Sequence, residues 1–304
     1  MGPNLTPESR RLLIQQRSVI ASWQAVSVGL TLRQLRWACR TGWQPVTAHT
    51  FLAADGDISE AQMRVAGVLE AGPDAALAGC SALIEAGWTG DANGYVDVVI
   101  ARGHRSRRTP PPPWLRMHTT LDVPRRLAAP PRTTAARAAV DAGSWARSAR
   151  ERLFILASTA QQRLATVEQM RRELASRPNL AWSAQMRDTL DEVAAGATST
   201  HEADFRRECR RRGLPEPRMQ VRRRAGGRGR RTDAEFTTSS GRLVIVEVDG
   251  VAHMDVAQWQ ADLSRQNDLR AETGALVLHL TGWELRHDPD PFFSLLARVL
   301  AGSV

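Results

Sequence analysis

The chain contains no lysine. All 41 of its basic side chains are arginines, which excludes lysine-based Schiff-base chemistry and makes every cation it offers a partner a guanidinium, a planar group suited to bidentate contact with phosphate. Cysteine is scarce too. Cys39, Cys80 and Cys209 are odd in number and far apart, without metal-ligand spacing, which argues against a disulfide framework or zinc cluster and suits a reducing cytoplasm. No apolar run approaches the roughly 20 residues that a membrane-spanning helix needs, and the opening MGPNLTPESRRLLIQQ has no signal-peptide core. A cytoplasmic protein with no membrane partner is expected.

The net charge of +9 is unevenly placed. Residues 203–232 hold twelve arginines against Asp204, Glu208 and Glu216, while the rest of the chain carries 29 arginines and 29 acids, so one segment holds the entire excess. A concentrated basic stretch is an electrostatic footprint for nucleic acid, and Arg222, Arg223, Arg224, Arg228, Arg230 and Arg231 are candidate phosphate contacts. The competing reading is a solvated basic loop.

Near the N-terminus, SWQAVSVGLTLRQLRWACRTGW (22–43) reads as a short helix, a turn at Gly29, and a second helix capped by Thr31 and ending near Gly42. On the second helix Leu32, Leu35 and Cys39 share one face while Arg33, Arg36 and Arg40 share another. That is helix-turn-helix geometry with candidate DNA-reading arginines, and WQPVTAHTFLA supplies a β-hairpin wing. Residues 1–60 are therefore expected to form a winged helix-turn-helix. Residues 61–150 form a middle α/β unit with a strand at YVDVVI and a proline-rich connector, RGHRSRRTPPPPWLR. Residues 151–197 form a helical linker, and residues 198–304 a last domain.

That last domain is the most legible. A helix over 199–213 stops at Gly213, with Ser199 and Glu202 as a possible capping box. Strands follow around 219–223, 232–238 and 242–249, then a helix over 255–273, a strand at ALVLHL and a helix at FFSLLARVL. The order αβββαβα gives a mixed α/β (α+β) fold, a sheet flanked by helices. LVIVEVDG (243–250) alternates so that Glu247 and Asp249 share a face, on a strand apolar enough to be covered on both sides. If the preceding hairpin turns at Ser240, Asp233 lies opposite Glu247. Like charges in that position destabilise a sheet unless a cation lies between them, and hard carboxylate oxygens suit Mg²⁺ or Mn²⁺. Otherwise Glu247 pairs with an arginine and Asp249 with Gly250 forms a plain turn.

THEADFRRECRRRGL, RTDAEF, LVIVEVDGVAH, DLSRQNDLRAETG and VLHLTGWEL, in that order over about residues 198–300, resemble the bacterial domains related to very-short-patch repair endonucleases, in the PD-(D/E)XK nuclease superfamily. The resemblance implies a restriction-endonuclease-like core with Asp233 and Glu247 as metal-binding acids, Glu202 as the acid on the first helix, and His253 as a proton-transfer residue. It departs from that pattern where the usual lysine is Asp249. Arg265 is then the candidate cation, and Asp249 or His253 the group that orients water. The N-terminal half more loosely resembles winged-helix antitoxin regulators of the AbiEi type, which implies DNA as partner and a toxin or a DNA-repair or defence protein as a further one. The functions expected are a Mg²⁺-dependent endodeoxyribonuclease or, alternatively, a non-catalytic DNA-binding regulator.

Overall fold

Hydroxyl caps and stop glycines set the first elements. The structure, a computed structural model, describes residues 5–103, 110–121, 129–195, 201–225, 228–249 and 274–302. The chain divides into two compact units, Met1–Ala142 and Gly143–Val304.

In the first unit the Thr6 hydroxyl accepts the Ser9 N–H at 3.1 Å and opens α1 (Pro7–Gln15). After β1 (Val19–Ala21) and α2 (Ser22–Ser27), Gly29 takes a left-handed φ of 85°. This lets the Leu30 N–H donate to the Ala25 carbonyl (2.9 Å) and the Gly29 N–H to that of Val26 (3.1 Å), the paired closure of a Schellman stop. Helix α3 (Leu32–Ala38) begins with a reciprocal box, Thr31 Oγ1 accepting from the Gln34 N–H and Gln34 Oε1 accepting from the Thr31 N–H. Strands β2 (Gln44–Pro45) and β3 (Thr50–Leu52) form the expected hairpin and join β1 in an antiparallel sheet of order β1-β3-β2. Leu13, Ile20, Ala25, Leu30, Leu35, Ala38 and Trp43 pack beneath it.

Two expectations for α3 change. The helix ends at Ala38, with Cys39 as its C-cap, and Leu32 is 51% exposed. The buried stripe runs through Leu35 and Ala38, and at about 100° per residue Leu32 stands a quarter-turn away from it. The unit continues with α4 (Glu60–Ala71), β4 (Ala76–Leu77), α5 (Gly79–Glu85), β5 (Val96–Ala101) and β6 (Leu115–Thr120). These build a second sheet of order β4-β5-β6, in which β5 and β6 run parallel. The division between the units falls within α6 (Ala135–Trp145).

In the second unit, α7 (Ala149–Gln161), α8 (Val167–Ala175) and α9 (Ser183–Ala195) occupy the segment read as a linker, and they are folded into the unit itself. Trp283 Nε1 donates to Asp188 Oδ2 on α9 at 2.8 Å, and Arg286 pairs with Glu192. Helix α10 (His201–Arg211) stops at Gly213 as expected, by the same double closure, Leu214 N–H to the Cys209 carbonyl and Gly213 N–H to that of Arg210. Ser199 lies outside the described residues. Strands β7 (Arg218–Ala225), β8 (Arg228–Thr237), β9 (Leu243–Asp249) and β10 (Leu276–Thr281) form a sheet of order β10-β9-β8-β7. The β7–β8 and β8–β9 pairs are antiparallel and β9–β10 is parallel. A parallel pair needs a crossover; most of the chain that makes it, 250–273, lies outside the described residues, including the helix expected over 255–273.

Strand β9 is interior and covered on both faces, as its apolar run implied. Val244, Val246 and Val248 face a core with Phe205, Phe236, Leu280, Phe293 and Leu296, in which the Phe205 and Phe293 rings stack at 5.6 Å. Ile245 packs with Ala275 and Val277. Two helices close the chain, α11 (Gly282–His287) and α12 (Pro289–Leu300). The first of these was not expected, although Thr281 and Glu284 form its capping box. The mixed α/β class is as read from the sequence.

Candidate functional site

The β8–β9 register pairs Thr237 with Leu243, Phe236 with Val244, Glu235 with Ile245 and Ala234 with Val246. The ladder ends there; continued by one position, the same register would set Asp233 opposite Glu247, in keeping with a turn at Ser240. Beyond the last ladder pair, Asp233 Oδ2 accepts the Val248 N–H at 2.9 Å, so a side chain takes the place of a main-chain acceptor. Glu247 is 9% exposed, and in the parallel register its neighbour on β10 is His279.

On the other side of Asp233 the β7–β8 ladder also breaks. Arg218 pairs with Glu235 and Met219 with Ala234, and pairing resumes at Val221 with Thr232, skipping Gln220 and Asp233. Gln220 has a φ of 54°, a left-handed conformation that costs a residue with a Cβ about 1–2 kcal/mol. Its side chain reaches back to α10, where Nε2 donates to Glu202 Oε1. Gln220 thus ties β7 to Glu202 on α10, while the β7–β8 ladder skips Asp233 and the β8–β9 ladder ends just before it. Irregular backbone of this kind concentrates at functional sites.

Glu235, which the sequence reading passed over, is 2% exposed. Its Oε1 accepts from Arg223 Nε and from Thr232 Oγ1 (3.0 Å), and its Oε2 from Arg223 Nη2 (2.7 Å). Burial opposes its ionisation, yet the hydrogen bonds from Arg223 and Thr232 outweigh burial and hold its carboxyl below the usual range. Arg223 is therefore engaged inside the fold.

The remaining arginines separate by element. On α10, Arg206 and Arg210 bond Glu216, Arg207 bonds Asp204 and Arg211 bonds Glu208, and just past its end Arg212 bonds both Glu208 and Asp290. The three acids of residues 203–232 are thus spent on that helix, and the excess charge falls on the hairpin. Because β9 pairs only with 234–237 of β8, residues 221–225 and 228–232 run on as a two-stranded ribbon, roughly 17 Å long. Its register sets Arg222 opposite Arg231 and Arg223 opposite Arg230, with Arg224 and Arg228 nearer the turn. Arg222 and Arg231 are exposed, and Arg231 Nε donates to the Gln220 carbonyl at 3.3 Å. The side chains of Arg224, Arg228 and Arg230 lie outside the described residues. In the first unit Arg33, Arg36 and Arg40 are all exposed.

Asp249 ends β9 in register with Thr281, its side chain outside the described residues, as are His253 and Arg265 altogether. Among the described residues no three His, Cys, Asp or Glu side chains converge as a metal-binding group. His201, the residue before Glu202, is 4% exposed and lies against Gly282. No family model matches the chain, and no curated protein matches it in sequence.

Proposed function

We propose that this chain binds DNA and that its second unit hydrolyses phosphodiester bonds with a divalent metal ion. The observation that supports this reading is the β8–β9 register, which continued one step past its last pair, Ala234 with Val246, would bring Asp233 opposite Glu247, a pairing of like charges that a cation relieves. Their hard oxygens fit Mg²⁺ or Mn²⁺, and Asp233 and Glu247 would hold it. When bound, such an ion supplies a nucleophilic water at neutral pH and neutralises charge on the phosphate. Glu202 on α10 is tied to β7 through Gln220.

On this reading the elements from α10 to α12 are a restriction-endonuclease-like core, and those from α1 to β3 a winged helix-turn-helix presenting Arg33, Arg36 and Arg40. The arginine ribbon grips the phosphate backbone, since like charges opposite one another on two strands are relieved by a polyanion between or over them. A second reading, a DNA-binding regulator without catalysis, is favoured by Asp249 standing where the resembled nucleases carry a lysine.

Cleavage of duplex, mismatched and single-stranded DNA with Mg²⁺ or Mn²⁺ separates the two. Asp233→Asn and Glu247→Gln should each lower cleavage at least about a hundredfold, by loss of the metal-held water and charge, while DNA affinity changes little. Binding without cleavage by the wild type under every metal condition establishes the regulator.

A further inference from the structure

Helix α3 exposes more than arginine. Leu32 is 51% and Trp37 42% exposed, whereas Leu35 and Ala38 are buried on the opposite side. At about 100° per residue, the order around the outward face is Leu32, Arg36, Arg33, Trp37, an arc of roughly 140°, with Arg40 just beyond the helix end. An apolar residue therefore stands at each edge of the arginine stripe. The described ion pairs use none of Arg33, Arg36 and Arg40, and no acid stands on this face.

A face carrying three cations that are unpaired among the described residues is a poor surface for a second copy of itself and a good one for a polyanion. Apolar edges have no use against phosphate, but the major groove offers one apolar group, the 5-methyl of thymine. Resting on the DNA-binding reading above, we propose that Leu32 and Trp37 are specificity-determining residues that contact thymine methyl groups in the major groove while the arginines between them engage base edges or phosphate. The site they read contains thymine at one or two fixed positions.

The test uses the full chain with a duplex enriched on it from a random-sequence pool, remade with deoxyuridine replacing each thymine in turn. Uracil pairs as thymine does and lacks only the methyl. At one or two positions the replacement should weaken wild-type binding about fourfold, the equilibrium value of burying one methyl-sized group. Leu32→Ala and Trp37→Ala should each abolish the thymine-over-uracil preference at one of those positions. Both residues are exposed, so an unchanged circular-dichroism melt is expected for each variant.

Equal affinity for thymine and uracil at every position overturns the proposal, as does a preference that survives in both variants. If Arg33→Ala with Arg36→Ala still relaxes sequence preference, the DNA-reading role of α3 stands and only the methyl contact fails. If no sequence is enriched, both fail. A change in sedimentation of the Leu32→Ala, Trp37→Ala double variant, with no thymine preference in the wild type, assigns the face to self-association instead.

Discussion

Asp233 and Glu247 present the sharpest question at the scale of single residues. Without metal their carboxylates repel, so Glu247→Gln should leave the protein in chelator as stable as wild type or slightly more so. In Mn²⁺ the order should reverse, because an ion that binds only the folded chain adds about 2.7 kcal/mol at a hundredfold excess over its Kd. Thermal melts in chelator and in millimolar Mn²⁺ decide it: equal Mn²⁺ shifts for both proteins mean that no ion bridges these acids. Gln220 gives an independent check. Its φ of 54° is open to glycine but costly to a β-branched side chain, so Gln220→Val should lose about 2 kcal/mol and Gln220→Gly about 1 kcal/mol or less. Denaturant titration of the two variants checks that order.

At the scale of elements, the ribbon of β7 and β8 carries a prediction about salt. Each phosphate contact contributes about −0.9 to the slope of log affinity against log salt on duplex DNA. Arg222→Ala with Arg231→Ala should therefore flatten the slope by up to about two units, and Arg223→Ala alone, committed to Glu235, should leave it nearly unchanged while lowering stability. Binding isotherms at several salt concentrations measure both. The elements also show what was readable in advance. The stops at Gly29 and Gly213 and the cap at Thr31 were legible because capping chemistry is local. The register of β8 on β9 was legible because a hairpin turn fixes it by counting. The outward turn of Leu32 was not, since a two-turn helix has too few apolar positions to fix its core direction. The Arg223–Glu235 pair was hidden for another reason: twelve arginines compete for three acids within the segment, and the partner chosen lies outside it, across a strand. Helix α11 was missed although Thr281 and Glu284 announced it.

At the scale of the whole molecule, stability against acid should fall in two stages. Burial pushes the His201 imidazole below its ordinary value, against the attraction of Asp204. The unfolded chain then binds a proton that the folded one does not, so stability is fully present above about pH 6.5 and declines as pH falls from there toward the folded value. Glu235 acts lower. Its depressed pKa contributes stability that is present above about pH 4.3 and is lost as pH falls through its folded value. His201→Leu removes a ring whose Nδ1 finds no partner among the described residues, and should erase the first stage without lowering the midpoint at pH 7.5. Melting midpoints from pH 7.5 to 5 test this; an identical first stage in the variant would shift its origin to another group.

Among the described residues strand β7 has one strand neighbour, β8, and stands at the margin of its sheet. A free margin leaves main-chain N–H and C=O groups ready to template another chain, and charge along it is one of the ways natural proteins keep such margins apart. Arg218, Arg222 and Arg224 lie along this strand beside the Glu235-paired Arg223, so two molecules approaching margin to margin meet as like charges. The row of guanidiniums thus has a colloidal consequence apart from any ligand. Saturating it with polyanion, or neutralising it by mutation, should weaken the repulsion between two such margins and favour edge-to-edge pairing.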